Sequence, residues 1–330
     1  MLMPSEHILV CGGAGYIGSS LVFRLLKETQ FHVTVFDNLM YGGDSLFSFF
    51  NYEDRFNFIK GDLKHYDFDK LLEGKQYVIN LAALVGEPIC KKYPYDARQI
   101  NFEANIRLAK EASKKNITRF IFTSTCSNYG LQKSDVAISE DGSLQPLSIY
   151  SKTKVDSENI LLNDLQELPT TVLRFATAYG MAARIRFDLL LHELIRDAWT
   201  RAKIYVYGAQ SWRPLVHVDD IARSIITILT NNSKLKNKDV YNIGSNDQNF
   251  QKITLAEMVA QRFDVPIEVT NTVKDPRNYK ISFDKVKREL NFEPIHRPKE
   301  TIDQIAQALE TNLLNDKYLQ ESVNVKIIGS

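Results

Sequence analysis

The segment Gly12-Gly13-Ala14-Gly15-Tyr16-Ile17-Gly18 decides the fold. It follows a short apolar run, His7 to Cys11, and leads into Ile17 to Leu26, where apolar residues recur at helical spacing. The reading is strand, tight turn, helix. Glycine stands at Gly12, Gly15 and Gly18, where a side chain would block the turn or a pyrophosphate lying on it. The first N–H groups of the following helix then supply an anion site. Glycine-rich turns are common for backbone reasons alone; the position between strand and helix gives this one its meaning.

Working outward, Val33 to Phe36, Phe56 to Ile59, Tyr77 to Leu81, Phe120 to Phe122 and Thr171 to Phe175 are brief β-branched or aromatic runs, several of them separated by helix-like segments. The alternation predicts an α/β fold, a Rossmann-type doubly wound parallel sheet with a smaller mixed α/β substrate lobe. Asn101 to Lys115 and Tyr150 to Leu165 are rich in helix formers and carry apolar stripes wide enough to cover a sheet face. After Tyr179-Gly180 the alternation breaks down, and Arg184 to Arg201, Leu255 to Phe263 and Thr301 to Leu309 read as helices mixed with short strands. The expected division is 1–179, mainly dinucleotide-binding, and 180–330, mainly substrate-binding, with a stretch around 215–245 returning to the first unit. Asn231 to Asp239 reads as a polar, lysine-rich loop, and no repeat or low-complexity stretch is present.

Of the 330 residues, 41 are Lys or Arg and 40 are Asp or Glu, for a net charge of +1. That balance leaves no electrostatic footprint for nucleic acid or an anionic membrane, so neither is an expected partner. Cys11, Cys90 and Cys126 are odd in number, far apart and in no metal-ligand spacing, which predicts no metal site and a reducing compartment. Met1 to Val10 lacks a charged region followed by a long apolar stretch, and no later segment approaches the roughly 20 apolar residues of a membrane helix. The expected location is cytoplasmic.

Asp37 ends the second strand at the spacing from which an acid reaches the adenosine ribose. Its carboxylate can accept both hydroxyl hydrogens and would repel a 2′-phosphate, favouring NAD over NADP. Taken singly, Asp37-Asn38 would more often just start a turn. Tyr150 and Lys154 are four residues apart and share one helix face, and a nearby cation depresses a phenol's pKa. Such a tyrosine can serve as general base toward a substrate hydroxyl, or as acid in reverse, while the lysine reaches the nicotinamide ribose. The pair alone occurs by chance on many solvated helices. Phe120 to Gly130 changes that reading. An apolar strand runs into Thr123-Ser124-Thr125-Cys126-Ser127-Asn128-Tyr129-Gly130, presenting hydroxyls at a strand's carboxyl end, where open α/β sheets bind ligands.

On these residues the chain resembles, over most of its length, the extended short-chain dehydrogenase/reductase family, in particular its nucleotide-sugar epimerases and dehydratases. Gly12, Gly15 and Gly18 match the family's GxxGxxG turn, with Tyr16 and Ile17 inside it. Asp37 matches its ribose acid, with Asn38 beside it, Gly61-Asp62-Leu63 its adenine-contacting loop, and Leu81-Ala82-Ala83 the end of its fourth strand. Asn101 falls at its structural asparagine, here expected among the cofactor contacts together with Phe175. Thr125, Tyr150 and Lys154 match its Ser/Thr, Tyr and Lys, Thr125 standing four residues before Tyr129-Gly130; Thr123 and Ser124 are the alternatives. Arg174-Phe175-Ala176-Thr177-Ala178-Tyr179-Gly180 resembles an Arg-x-x-Asn-x-Tyr-Gly run in which Thr177 replaces Asn. The resemblance implies substrate contacts at Val85, Thr125, Thr177, Arg213 and Arg277. The arginines sit in Ser211-Trp212-Arg213 and Asp275-Pro276-Arg277-Asn278-Tyr279, from which relatives aim the planar guanidinium fork at a nucleotide diphosphate. His217 keeps a structural reading, packed or capping, before the helix N-terminal acid pair Asp219-Asp220.

The resemblance implies hydride chemistry with NAD at a ring hydroxyl, at C4, of a UDP-, GDP-, CDP- or dTDP-linked sugar, as an epimerase or a C4 dehydrogenase. Family 4,6-dehydratases carry an acidic pair directly after the threonine, where this chain has Cys126 and Ser127. Sugar 3,5-epimerases carry a cysteine where Ser127 stands, so Cys126 reads as an inert buried thiol. An alternative of another class is an NAD-binding regulatory or scaffold protein without turnover, against which the intact Thr125, Tyr150 and Lys154 argue. Relatives pair two long helices across a homodimer, and Asn101 to Lys115 with Tyr150 to Leu165 would be those helices.

Overall fold

The computed structural model describes residues 6–132, 136–270, 277–315 and 319. The first five residues, and Asp275-Pro276 of the second arginine stretch, lie outside that set. The large sheet is built from β1 (His7–Cys11), β2 (His32–Asp37), β3 (Phe56–Lys60), β4 (Tyr77–Asn80), β5 (Arg119–Thr125), β6 (Thr170–Phe175) and, arriving late in the chain, β10 (Lys238–Ile243). Its order is β10-β6-β5-β4-β1-β2-β3 and every pairing is parallel. The order reverses between β1 and β4, and a parallel sheet opens its ligand crevice at that switch point, beyond the carboxyl ends of the strands.

The central runs are mostly apolar because both of their faces are buried, whereas the edge strand β3 carries the exposed Asn57 and Lys60. Along β1, Ile8 and Val10 pack with Leu21, Leu25 and Ile225 on one side, while Leu9 and Cys11 pack with Leu108, Phe120 and Leu161 on the other. The Tyr16–Glu28 and Val218–Thr230 helices cover the first face, lying against each other. On the second face Pro94–Arg98 continues through a π-helical turn, Gln99–Ala104, into the Asn105–Ala112 helix, beside the Ile149–Asn163 helix. A separate apolar core, including Phe187, Ile195, Leu215, Leu255 and Ile305, holds the Leu190–Arg201, Lys252–Phe263 and Pro298–Glu310 helices together. With it go two small sheets. One joins β7 (Thr177–Tyr179) parallel to β9 (Trp212–His217), which pairs antiparallel with β11 (Asn249–Gln251). The other joins β8 (Ile204–Tyr207) to β12 (Ile267–Thr270).

The Rossmann-type sheet and the smaller mixed α/β part are as the sequence implies. Three stretches differ. The segment from Arg184 becomes helical only at Leu190, because Arg184, Arg186, Asp188 and Leu189 line a large cavity instead. The helix read as Asn101 to Lys115 is the later part of a run that begins at Pro94 and already ends at Ala112. The polar stretch Asn231 to Asp239 already contains the start of β10 at Lys238. No helix among the described residues is long and apolar enough to cross a membrane, and no cluster of metal-ligating side chains occurs among them.

Candidate active site

The turn after β1 is shaped by backbone contacts that leave no room for side chains. Gly12 has φ +82°, and a Cβ there would stand 2.7 Å from Ala82 N at the end of β4. A Cβ on Gly18 would lie 2.7 Å from Gly13 Cα and collide with the Gly12 carbonyl. Gly15 is the N-cap of the Tyr16–Glu28 helix and supplies no capping side chain, so the first helical N–H groups are left for a ligand. Tyr16 instead sends its hydroxyl across to Gly180, donating to the carbonyl at 2.7 Å. Asp37 accepts from Ala14 N at 3.0 Å and from Leu39 N at 2.8 Å, and burial pushes its carboxyl up against these two opposing bonds. Asn38 closes the turn by accepting from Met40 N at 3.0 Å. The turn-forming role and a place on the cavity wall therefore coexist at Asp37-Asn38.

One cavity of about 540 Å³ runs from this turn to the small sheets. Gly12, Gly15, Tyr16, Ile17, Gly18, Asp37, Asn38, Asp62, Leu63, Leu81, Ala82, Ala83 and Phe175 line it, as do Val85, Thr177, Arg213 and Arg277. Thr125, Tyr150 and Lys154 line the same space. Asn101 does not. Its amide is buried behind the wall, accepting from Leu84 N at 2.8 Å and donating to Leu84 O at 3.0 Å, so it holds the strand-end segment rather than facing a ligand.

Three hydroxyls compete for the role read from the strand end, and their bonds separate them. Thr123 donates to the Asn80 carbonyl at 2.7 Å, and Ser124 donates to Glu158. Thr125 caps the short Cys126–Tyr129 turn, accepting from Ser127 N at 3.1 Å with the Ser127 hydroxyl 3.0 Å away. Tyr150 and Lys154 ride on the Ile149–Asn163 helix, which a reciprocal Ser148–Ser151 capping box starts just before the tyrosine. The Tyr150 ring packs on Leu84, Ile89, Cys90, Ala97 and Ile100. Lys154 is buried with its ammonium donating to Thr123 O at 2.7 Å, over the Phe122 ring and 5.9 Å from the Tyr150 ring centre. Burial pulls it down to about 8, with Glu158 the main charge resisting. The phenol moves opposite to the sequence expectation. Burial pushes Tyr150 up, Cys90 adds to this, and the opposing cations are Arg186 and Arg277. Desolvation outweighs the two guanidiniums.

Cys126 is buried, donates to the Arg174 carbonyl at 3.2 Å, and has its thiol pushed well up by burial, which suits an inert role. Arg213 donates to Trp212 O at 2.8 Å and to Arg277 O at 2.6 Å, so the two predicted arginine stretches meet at one wall. His217 caps the Val218–Thr230 helix, accepting from Asp219 N at 3.1 Å, and stacks on His296 at 4.2 Å. Asp219 pairs with Arg24, and Asp220 accepts from the Ile295 and His296 N–H groups. Two features escape a reading of the sequence alone. Arg186, buried on the wall, is held by Asp188 at 2.7 Å and 3.1 Å and reaches the Val85 carbonyl at 3.4 Å. No local pattern announces it. Glu158, one helical turn past Lys154, meets Arg174, and its i, i+4 spacing from the lysine is the signal that could have found it.

A family model described as the NAD dependent epimerase/dehydratase family matches residues 8–244. The chain is 31% identical over 302 residues to the uncharacterized UDP-glucose epimerase YtcB of Bacillus subtilis (strain 168), covering 87% of this chain and 92% of that one. It is 28% identical over 357 residues to the dTDP-glucose 4,6-dehydratase of Escherichia coli, covering 97% and 95%. Among solved structures, the UDP-glucuronic acid 4-epimerase of Bacillus cereus, in complex with UDP-glucuronic acid and NAD, superposes with a TM-score of 0.81 at 26% identity, over 93% of this chain and 100% of that one.

Proposed function

The chain belongs to the NAD dependent epimerase/dehydratase family, the nucleotide-sugar group of the extended short-chain dehydrogenases/reductases, and from that premise we propose that it oxidises and reduces the C4 position of a nucleotide sugar. The observation that carries this is the convergence of Thr125, Tyr150 and Lys154 on the cavity that also contains the glycine turn. The residues fit NAD: the cradle at Gly12 and Gly18 is one a Cβ would fill, and the helix begins without a capping side chain. Gly12, Gly15, Ile17 and Gly18 would hold the pyrophosphate, Asp37 and Asn38 the adenosine ribose, and Asp62 and Leu63 the adenine. Leu81, Ala82, Ala83 and Phe175 would line the nicotinamide, and Lys154 would reach its ribose. When bound, NAD supplies the hydride acceptor for the ring carbon.

The chain's own groups do the rest. The Thr125 hydroxyl polarises the reacting oxygen, and Tyr150 takes the proton from it or returns it. The Lys154 ammonium stabilises charge that develops on the phenolic oxygen. Val85 and Thr177 border the sugar, and Arg213 and Arg277 face the diphosphate. Residues 1–179, with a return around 215–245, form the dinucleotide half, and 180–330 the substrate half. Epimerisation or C4 dehydrogenation is favoured over dehydration, because the positions after Thr125 hold a buried thiol and Ser127 rather than two carboxylates. The assembly proposed is a cytoplasmic homodimer, in keeping with three buried free cysteines.

Purified protein incubated with UDP-, GDP-, CDP- and dTDP-sugars, with reduced-cofactor absorbance and product identity followed, tests the reading. Retained NAD with no turnover would support the binding-only alternative. Two further outcomes are expected. Turnover should fall as pH rises through about 8, since the ammonium is present below that value and lost above it; a profile flat well above pH 8 speaks against the lysine's charge. Asp37→Ala should weaken NAD binding by about tenfold, the loss of one charge-assisted pairing, and relax discrimination against NADP. An unchanged NAD/NADP ratio in the binding titration would remove Asp37 from the ribose.

A further inference from the structure

Glu158 sits where the elements carrying the reactive groups meet, and any part it plays in turnover rests on the proposed C4 chemistry. It lies on the helix of Tyr150 and Lys154 and is 1% exposed. Its Oε1 accepts from Asn128 Nδ2 at 2.8 Å, on the turn that follows Thr125, and from the hydroxyl of Ser124, the β5 residue that precedes it. Asn128 also donates to Ser124 at 3.0 Å, closing a ring of three side chains. The carboxylate accepts from Arg174 of β6 as well, at 2.6 Å from Nη2 and at 3.1 Å and 3.2 Å from Nε. Arg174 in turn donates to the Tyr129 hydroxyl at 2.8 Å and to the Glu140 carbonyl at 3.1 Å.

We infer that Glu158, braced by Arg174, is a positioning residue that locks the end of β5 and the Cys126–Tyr129 turn to the helix of Tyr150 and Lys154, and so sets the approach of the Thr125 hydroxyl to the phenol. A buried ion pair gains little net stability over apolar packing of the same volume. What a fully engaged carboxylate adds is one geometry between two elements that would otherwise slide. The same charge supports the Lys154 ammonium against burial. The other titratable groups facing that ammonium are Tyr150 on its own helix and Cys90 on the Glu87–Lys92 helix, both held protonated by burial.

Three variants test this. Glu158→Gln keeps the reach and loses the charge, and is expected to lower kcat by about tenfold and move the alkaline limb of the pH profile to lower pH, with KM for the nucleotide sugar little changed. Glu158→Asp keeps the charge but falls short of Ser124 and Asn128, and should lose kcat without moving that limb. Ser124→Ala leaves the ion pair intact, so it stays folded when Glu158→Gln does not, and should show a smaller kcat loss at unchanged KM. Thermal unfolding of each variant separates misfolding from misplacement. Folded Glu158→Asp and Ser124→Ala proteins with wild-type kcat would overturn the inference, as would kcat losses matched by equal rises in KM. If wild type turns over a nucleotide sugar and Tyr150→Phe does not, such results sink the positioning role alone. Wild type inert on every nucleotide sugar sinks the proposed reaction, and this inference with it.

Discussion

Tyr150→Phe is expected to lower turnover by at least about a hundredfold while leaving NAD retention and thermal stability close to wild type, because positioned proton transfer contributes about 10²- to 10⁴-fold. The substitution removes one oxygen and keeps the ring that packs on Leu84, Ile89, Cys90, Ala97 and Ile100, so the fold loses almost nothing. The proposed chemistry loses its base. The carbinol proton then loses its proposed acceptor, and Thr123 and Ser124 cannot replace it, since they are engaged with Asn80 O and Glu158. Burial holds the phenol protonated in the ligand-free protein, so the lysine's charge and the bound cofactor must favour its ionised form during oxidation. Single-turnover kinetics on the best substrate, alongside cofactor released on denaturation, reads both quantities. A phenylalanine variant turning over near the wild-type rate would take the base assignment away from Tyr150.

The features legible before folding are those the chain carries locally. β1, β2, β4, β5 and β6 are legible because strands buried on both faces are mostly apolar, as Ile8 to Cys11 shows by feeding two different cores, and the edge strand β3 is legible from Phe56, Phe58 and Ile59. The cofactor turn is legible for a similar reason: Gly15 and Gly18 answer to neighbours at most six residues away, although Gly12 also meets Ala82 and Gly13 meets Val35. β7 and β11 are three residues each, Thr177–Tyr179 and Asn249–Gln251, partly polar, and become strands only because β9 lies between them. Arg186 and Asp188 belong to that second kind. They sit in a stretch with no period, and the place of both near Tyr16 and Tyr41, and of Arg186 near Tyr150, exists only once the two halves pack.

The direction of Tyr150's shift departs from the sequence expectation for a physical reason. Spacing along a helix reports which side chains are neighbours, and it places Lys154 correctly. It does not report how much water the neighbours lose, and here desolvation is the larger effect on both the phenol and the ammonium. Asn101 shows the same limit. Its position along the chain is right, but whether an amide faces a ligand or clamps Leu84 is settled by the π-helical turn that rotates it.

Gly18→Ala is expected to weaken NAD binding by at least about a hundredfold with only a small change in the stability of the ligand-free protein. A methyl at this position meets backbone, not the tip of a side chain: Gly13 Cα at 2.7 Å, Gly13 C at 2.8 Å and the Gly12 carbonyl nearer still. The turn cannot retreat. Gly12 N is bonded to Phe36 O at 2.8 Å, and its Cα already faces the Ala82 backbone. The helix from Tyr16 must therefore lift off the sheet, carrying away the N–H groups on which the pyrophosphate would lie. Helix propensity favours alanine over glycine by about 1 kcal/mol, and overpacking costs about 1–3 kcal/mol, so the unliganded fold loses no more than about 2 kcal/mol. Binding has no such offset. Weakening two charge-assisted hydrogen bonds at about 1.5 kcal/mol each amounts to about a hundredfold in affinity. Calorimetric NAD titration and melting with and without NAD separate the two effects: wild-type affinity in the alanine variant would show that the phosphates do not lie on this helix.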